Sequence, residues 1–223
     1  MNRSLIMPLI LKDWHFQRGM LAVLFVGGIV SIGITLQGGI FGVIGLFSTV
    51  MATAILGVVL PQMTVVNERK QHNEVFMMSL PVTPLEYAAA KVLANVSMFL
   101  VVWLAIVFGL VYVVVGSKHA GFLPPATVGA FAIFVGFITN LCFAIVVRSE
   151  KLWILVMTVT NTAYGGVWVA LYRTPNLSKQ AFGPVAVWST DILLLLGAEC
   201  FVLVVVLIAA AYAQSRRASF LSA

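Results

Sequence analysis

The side chains able to do chemistry are few in this sequence, and most stand alone. Seven acids, three histidines and two cysteines are spread over 223 residues. Cys142 and Cys200 each sit inside an apolar run with no His or Cys at ligand spacing, so they read as small, buried, inert thiols and no metal site is expected. His15, His72 and His119 are far apart, and no H-E-x-x-H, G-x-S-x-G or G-x-x-x-x-G-K-[ST] pattern occurs. The chain is therefore expected to bind no nucleotide or other cofactor itself and not to be an enzyme. Two acids stand out by context. Glu199 lies inside DILLLLGAECFVLVVV, where a charge is costly and usually faces protein or a water-filled path. It could line a route for a cation, pair with a basic residue of another subunit, or stay protonated as a structural group. Asp191 lies eight positions earlier. It is a second candidate for the same route or simply a helix cap.

The densest chemistry is in one stretch, NERKQHNEVFMMSLPVTPLEYAAAK, from Asn67 to Lys91. Its first half carries Glu68, Arg69, Lys70 and Glu74, and then come Phe76, Met77, Met78 and Leu80. This pattern predicts a short helix, polar at its start and apolar at its end, stopped by Pro81. Thr83, Pro84 and Glu86 then form a capping box with proline at the first helical position. A helix from Pro84 to Val115 would be about 48 Å long at 1.5 Å per residue, against a bilayer core of about 30 Å, so its first turns protrude. Adaptable apolar side chains inside a charged rim suit a protein partner. The alternative is a helix that lies on the membrane surface with no partner.

These groups must be positioned by an unusually apolar framework. The chain is 61% apolar and 9% charged, whereas a soluble domain carries about 25% charged residues. Such a chain cannot cover a soluble surface, and bilayer lipid is its natural solvent. Its net charge of +6 does not indicate nucleic acid, because the basic residues lie between apolar spans rather than along one face. Spans need about 20 apolar residues, and six are expected, at 19–37, 40–66, 92–115, 125–147, 152–172 and 190–213. The first two are divided by Gln37-Gly38-Gly39, whose paired glycines permit a tight turn. With six spans, Arg3, Lys12, Arg18, Arg69, Lys70, Lys91, Arg148, Lys151, Arg216 and Arg217 fall on one side, and Lys118, Arg173 and Lys179 on the other. Ten against three predicts that the first side, with both termini, is cytoplasmic. Trp14 and Trp153 would anchor the inner boundary, Tyr112, Tyr172 and Trp188 the outer one, and Trp103 would pack between helices.

The run Leu5 to Leu11 is ended by Lys12 and Asp13 with no A-x-A pattern after it, unlike a signal peptide. The segment 4–18 reads instead as an interfacial helix along the inner leaflet, or as an extension of the first span. The outer segment 173–188 could hold a short re-entrant helix or be an ordinary loop. Small residues at Gly27, Gly28, Gly38, Gly42 and Gly45 indicate close helix packing in the first two spans.

The charged start Glu68-Arg69-Lys70, then Ser79-Leu80-Pro81-Val82, Thr83-Pro84-Leu85-Glu86 and Lys91-Val92-Leu93, resembles the permease subunits of ABC-2 type exporters. The Leu11 to Trp14 segment, LKDW, resembles the interfacial helix of that family, and the six-span topology matches along nearly the whole chain. Gln71-His72-Asn73 stands where the family often has glycine. The resemblance implies an all-α integral membrane domain of six spans, with an interfacial helix at 4–18 and a coupling helix within 67–91. It implies a multi-pass protein of the cell inner membrane that pairs with a second, identical or paralogous, permease. Two separate ATPase subunits would bind ATP and Mg. Glu68, Arg69, Lys70, Glu74, Phe76, Met77, Met78 and Leu80 would dock on them, the polar residues at the rim and the apolar ones in a groove. A secondary transporter or accessory scaffold working without an ATPase is the alternative, and an intramembrane lipid-modifying enzyme a more distant one.

Overall fold

The computed structural model describes residues 3–70, 84–116, 120–147, 149–173 and 183–221. The described chain is all-helical. Its elements are α1 (Arg3–Thr35), α2 (Gly39–Pro61), a π turn (Gln62–Val66), α3 (Asn67–Lys70), α4 (Pro84–Gly116), a 3-10 turn (Ala120–Phe122), α5 (Leu123–Val146), α6 (Glu150–Arg173) and α7 (Thr190–Leu221). Six of these helical stretches are long and apolar enough to cross a membrane. Residues 71–83, with Glu74 and the apolar cluster Phe76, Met77, Met78 and Leu80, lie outside the described residues, as do Lys118, Arg148 and 174–182.

Two neighbourhoods share α5. On one side α1 packs against α2 and α4, and on the other α6 and α7 each pack against α5, which also touches α2 and α4. The seam between α2, α4 and α5 holds the core, where Phe99 and Phe137 stack at 4.0 Å between ring centroids. Leu56, Leu60, Met98 and Leu141 close around them, all buried. Trp103 packs between helices as its mid-span position indicates, donating its indole N–H to the Ala130 carbonyl at 3.2 Å. Trp153 differs from expectation. It is buried in the core rather than anchored at a boundary.

The turn between α1 and α2 uses both glycines of the Gln37-Gly38-Gly39 break, with φ of 71° and 56°. L side chains rarely adopt that conformation, and glycine carries no steric penalty there. One step into α2, a Cβ on Gly45 would lie 2.5 Å from the Thr35 amide nitrogen and 2.6 Å from the Ser31 carbonyl oxygen. The two backbones meet there because Gly45 has no side chain.

The structure departs from the sequence expectation in three further places. First, α1 runs unbroken from Arg3 to Thr35, so 4–18 is not a separate element. Lys12 and Asp13, which end the apolar run of 5–11, find ionic partners on neighbouring helices, and the helix continues past them into the first span. Second, α2 gives way at Gln62 to a π turn and then to Asn67–Lys70, so the charged start of 67–91 prolongs the second span. Pro61 removes one rung of the helical ladder just where the wide turn begins. Third, Cys200 is exposed and Cys142 only half-buried, whereas both were expected to be buried.

Candidate functional site

The basic end of the bundle is organised around three consecutive residues, Glu68, Arg69 and Lys70. Successive residues of an α-helix point about 100° apart, so one turn can address three directions. Glu68 turns toward α1 and α4. Its carboxylate lies 2.8 Å from the Lys12 ammonium and 2.7 Å from that of Lys91. It also accepts the Tyr87 hydroxyl at 3.0 Å. Arg69 turns toward α5, donating its guanidinium N–H groups to the carbonyls of Ala144, at 2.8 Å, and Val147. Those are among the last carbonyls of that helix, which lack intrahelical donors and sit at the negative end of its dipole. Lys70 turns toward the start of α6 and pairs with Glu150. Three adjacent side chains therefore tie this turn to four other helices.

Beneath Glu68 the network becomes buried. Lys91 and Asp13 are each only 4% exposed, and the ammonium lies 2.9 and 3.0 Å from the two carboxylate oxygens. Lys12 stands 3.7 Å from Asp13. Two lysines and two acids cancel in charge, which is what a low-dielectric site requires of ions retained in it. Trp14 adds a neutral tie between α1 and α4, donating to the Ser97 hydroxyl at 3.0 Å. A polar thread then runs one turn deeper. Asn95 donates its amide to the Lys91 carbonyl at 2.8 Å and faces the Thr64 hydroxyl of the π turn, also at 2.8 Å. Asn95 and Thr64 are fully buried.

The placement of the sequence-predicted residues is uneven. Glu68, Arg69 and Lys70 come together at the basic end and are engaged within the chain. Glu74, Phe76, Met77, Met78 and Leu80 lie outside the described residues. Glu68 precedes residues 71–83 and Tyr87 and Lys91 follow them, so the described residues flanking that segment on both sides meet at one charge cluster. Glu199 is far from it on α7, buried, with neither carboxylate oxygen hydrogen-bonded among the described residues. Asp191 is exposed in the first turn of α7. Sequence reasoning did not join Lys12 and Asp13 to Lys91, nor single out Thr64 and Asn95. Their signal was nonetheless present, as polar residues inside apolar spans.

The orphaned polar groups are distributed asymmetrically. Among the described residues, the buried side-chain atoms without a hydrogen-bond partner belong to Asn140, Trp153, Tyr164, Trp168, Ser189 and Glu199. All lie on or beside α5, α6 and α7. The polar groups where α1, α2 and α4 meet are instead tied into the network above.

A charge-neutral cluster thus ties α1, α4, α5 and α6 to the end of the second span, on either side of residues 71–83. No curated protein and no solved structure matches the chain. A family model described as ABC-2 family transporter protein matches residues 8–217. The match takes in all six spans and the whole of the cluster, and the chain belongs to the ABC-2 family of transporter proteins.

Proposed function

We propose that this chain is the membrane-spanning permease subunit of an ATP-driven exporter, coupled through residues 71–83 to separate ATPase subunits. The observation that carries the reading is the junction of Glu68, Arg69 and Lys70 at the root of that excursion. A partner that pushed on the excursion would act through one turn on α1 and α4 by Glu68, on α5 by Arg69 and on α6 by Lys70. A loop that merely joined two spans would need no such connections. Family membership gives the coarse role, a transporter permease that works with ABC ATPases.

In this reading two ATPase subunits bind ATP and Mg, and the chain pairs with a second permease, identical or paralogous, around the path. Glu74, Phe76, Met77, Met78 and Leu80 dock on the ATPase, the acid at the rim and the apolar side chains in a groove. Glu68, Arg69 and Lys70 receive the load behind them. The basic end faces the cytoplasm of the inner membrane, with both termini there, as the ten-to-three distribution of Lys and Arg supports. Glu199, an unpaired acid inside a span, and Asp191 near the outer end are the residues we place along the path.

Co-expression with the ATPase encoded beside this chain, followed by pull-down of either partner, tests the proposal. The ATPase is expected to co-purify, and the combined change Glu74→Ala, Phe76→Ala, Met78→Ala to abolish that. Absence of any bound ATPase would overturn the exporter reading in favour of a transporter or scaffold that needs none. Undiminished binding to the triple variant would overturn the docking assignment.

A further inference from the structure

Between the apolar part of α2 and the Glu68-Arg69-Lys70 turn lies the π turn, Gln62–Val66. Such a turn holds one residue more than an α-helix of the same length, and the Asn67 amide reaches back five residues to the Gln62 carbonyl. We infer that this surplus residue is a register store. When the π turn relaxes to α geometry, Glu68, Arg69 and Lys70 rotate by one residue position, about 100°, and their three sets of contacts are released together. The inference rests on the ATPase-coupling reading and names the moving part within it.

Three features of the chain support the switch. The first is a hydroxyl with two competing acceptors. Thr64 Oγ1 lies 2.8 Å from the Leu60 carbonyl and 2.8 Å from Asn95 Oδ1. Asn95 is oriented by its own donation to the Lys91 carbonyl, so its oxygen is the face it offers. A hydroxyl has one proton to donate. Directed at Asn95 it ties the wide turn across to α4, and directed at Leu60 it serves α2 alone. The second feature is position. The π turn directly precedes the residues it would rotate, and these point to different helices, so a single rotation disengages all of them. The third is what remains. After Glu68 leaves, Lys91 keeps Asp13 at 2.9 Å and Lys12 stands 3.7 Å from the same acid, so neither lysine loses every partner.

The test uses the complex co-purified with its ATPase and carrying Cys142→Ser and Cys200→Ser. Cysteines replace the pair Lys70 and Glu150, and a short bismaleimide linker joins them. The wild-type backbone is expected to cross-link at rest and to lose the cross-link when the ATPase is trapped with ATP and vanadate. Deletion of Met63, an exposed residue of the π turn, removes the surplus residue while leaving Glu68, Arg69 and Lys70 in their resting directions. In that variant the cross-link is expected to persist under trapping. A wild-type cross-link indifferent to trapping would refute the switch, as would a Met63 deletion that loses its cross-link like wild type. If the deletion variant does not assemble, the wild-type comparison still decides. Failure of the ATPase to co-purify would instead overturn the coupling reading.

Discussion

Replacing Lys91 by Met should destabilise the bundle by more than any single change on its surface. Asp13 and Lys91 face each other at 2.9 Å with both side chains 4% exposed. At an effective dielectric of about 20, unit charges at that separation attract by about 6 kcal/mol, against which the desolvation of both ions must be set. The decisive quantity is what a single deletion strands. Without Lys91, two carboxylates share Lys12, and the cluster passes from neutral to one net negative charge. Removing one member of a buried pair costs about 3–5 kcal/mol. For a chain of this size about 2–4 °C of melting temperature accompanies each kcal/mol, which predicts a fall of roughly 6–20 °C. Asp13→Leu alone should behave similarly. The double variant Lys91→Met, Asp13→Leu keeps the Lys12–Glu68 pair and restores neutrality. It should recover to within about 1–2 kcal/mol of the parent, since apolar replacements of a whole buried pair are near neutral. The assay is thermal unfolding in detergent followed by tryptophan fluorescence, with Trp14 close to the cluster as reporter. If each single variant melts with the parent, or the double is worse than both singles, the buried ion network is not what joins α1 to α4.

Arg69→Gln removes two charge-assisted hydrogen bonds at the end of α5. It should cost about 1.5–3 kcal/mol in the same melt, whereas Lys70→Ala, whose pair with Glu150 is about half exposed, should cost under about 1 kcal/mol. Equal effects would show that Arg69 does not cap α5. Gly45→Val places side-chain atoms where the α1 backbone lies within 3 Å of the missing Cβ. Overpacking of that kind costs about 1–3 kcal/mol, and a parent-like melt would show that α1 and α2 do not approach so closely. Glu199→Leu removes a buried carboxyl without partners, a group whose burial costs about 1–3 kcal/mol. The variant should melt above the parent while substrate-stimulated ATPase activity of the complex falls. Unchanged activity would remove Glu199 from the path.

The spans and the glycine turn were legible because each rests on local composition. An uncharged run from Gly19 to Asn67, broken by Gln37-Gly38-Gly39, has few solutions once about 20 residues must span lipid. The long helix from Pro84 was equally legible, since proline at its first position and an apolar run to Gly116 are both local signals. The pairing of Asp13 with Lys91 was not, because 78 residues separate them and only the packing of α1 on α4 brings them together. A π turn leaves almost no local mark. Gln62-Met63-Thr64-Val65-Val66 would serve as ordinary helix, and its surplus residue exists only relative to what α3 must face.

That relation explains why the three anchoring residues are consecutive. Side chains three or four apart share one face of a helix and would strengthen contact with one neighbour. Adjacent ones diverge by about 100° and must meet different neighbours. A helix that served only to stabilise the bundle would gain most from the first spacing, with its polar side chains concentrated on a single seam. Asn67–Lys70 has the second, joining α1 and α4 to α5 and α6 through a turn too short to form a core of its own. Its contacts are ionic or charge-assisted, which depend steeply on distance and direction. A rotation of one residue position therefore breaks them, whereas apolar contacts would slide. Strong when aligned and lost together when turned, they suit a joint that must hold and then release.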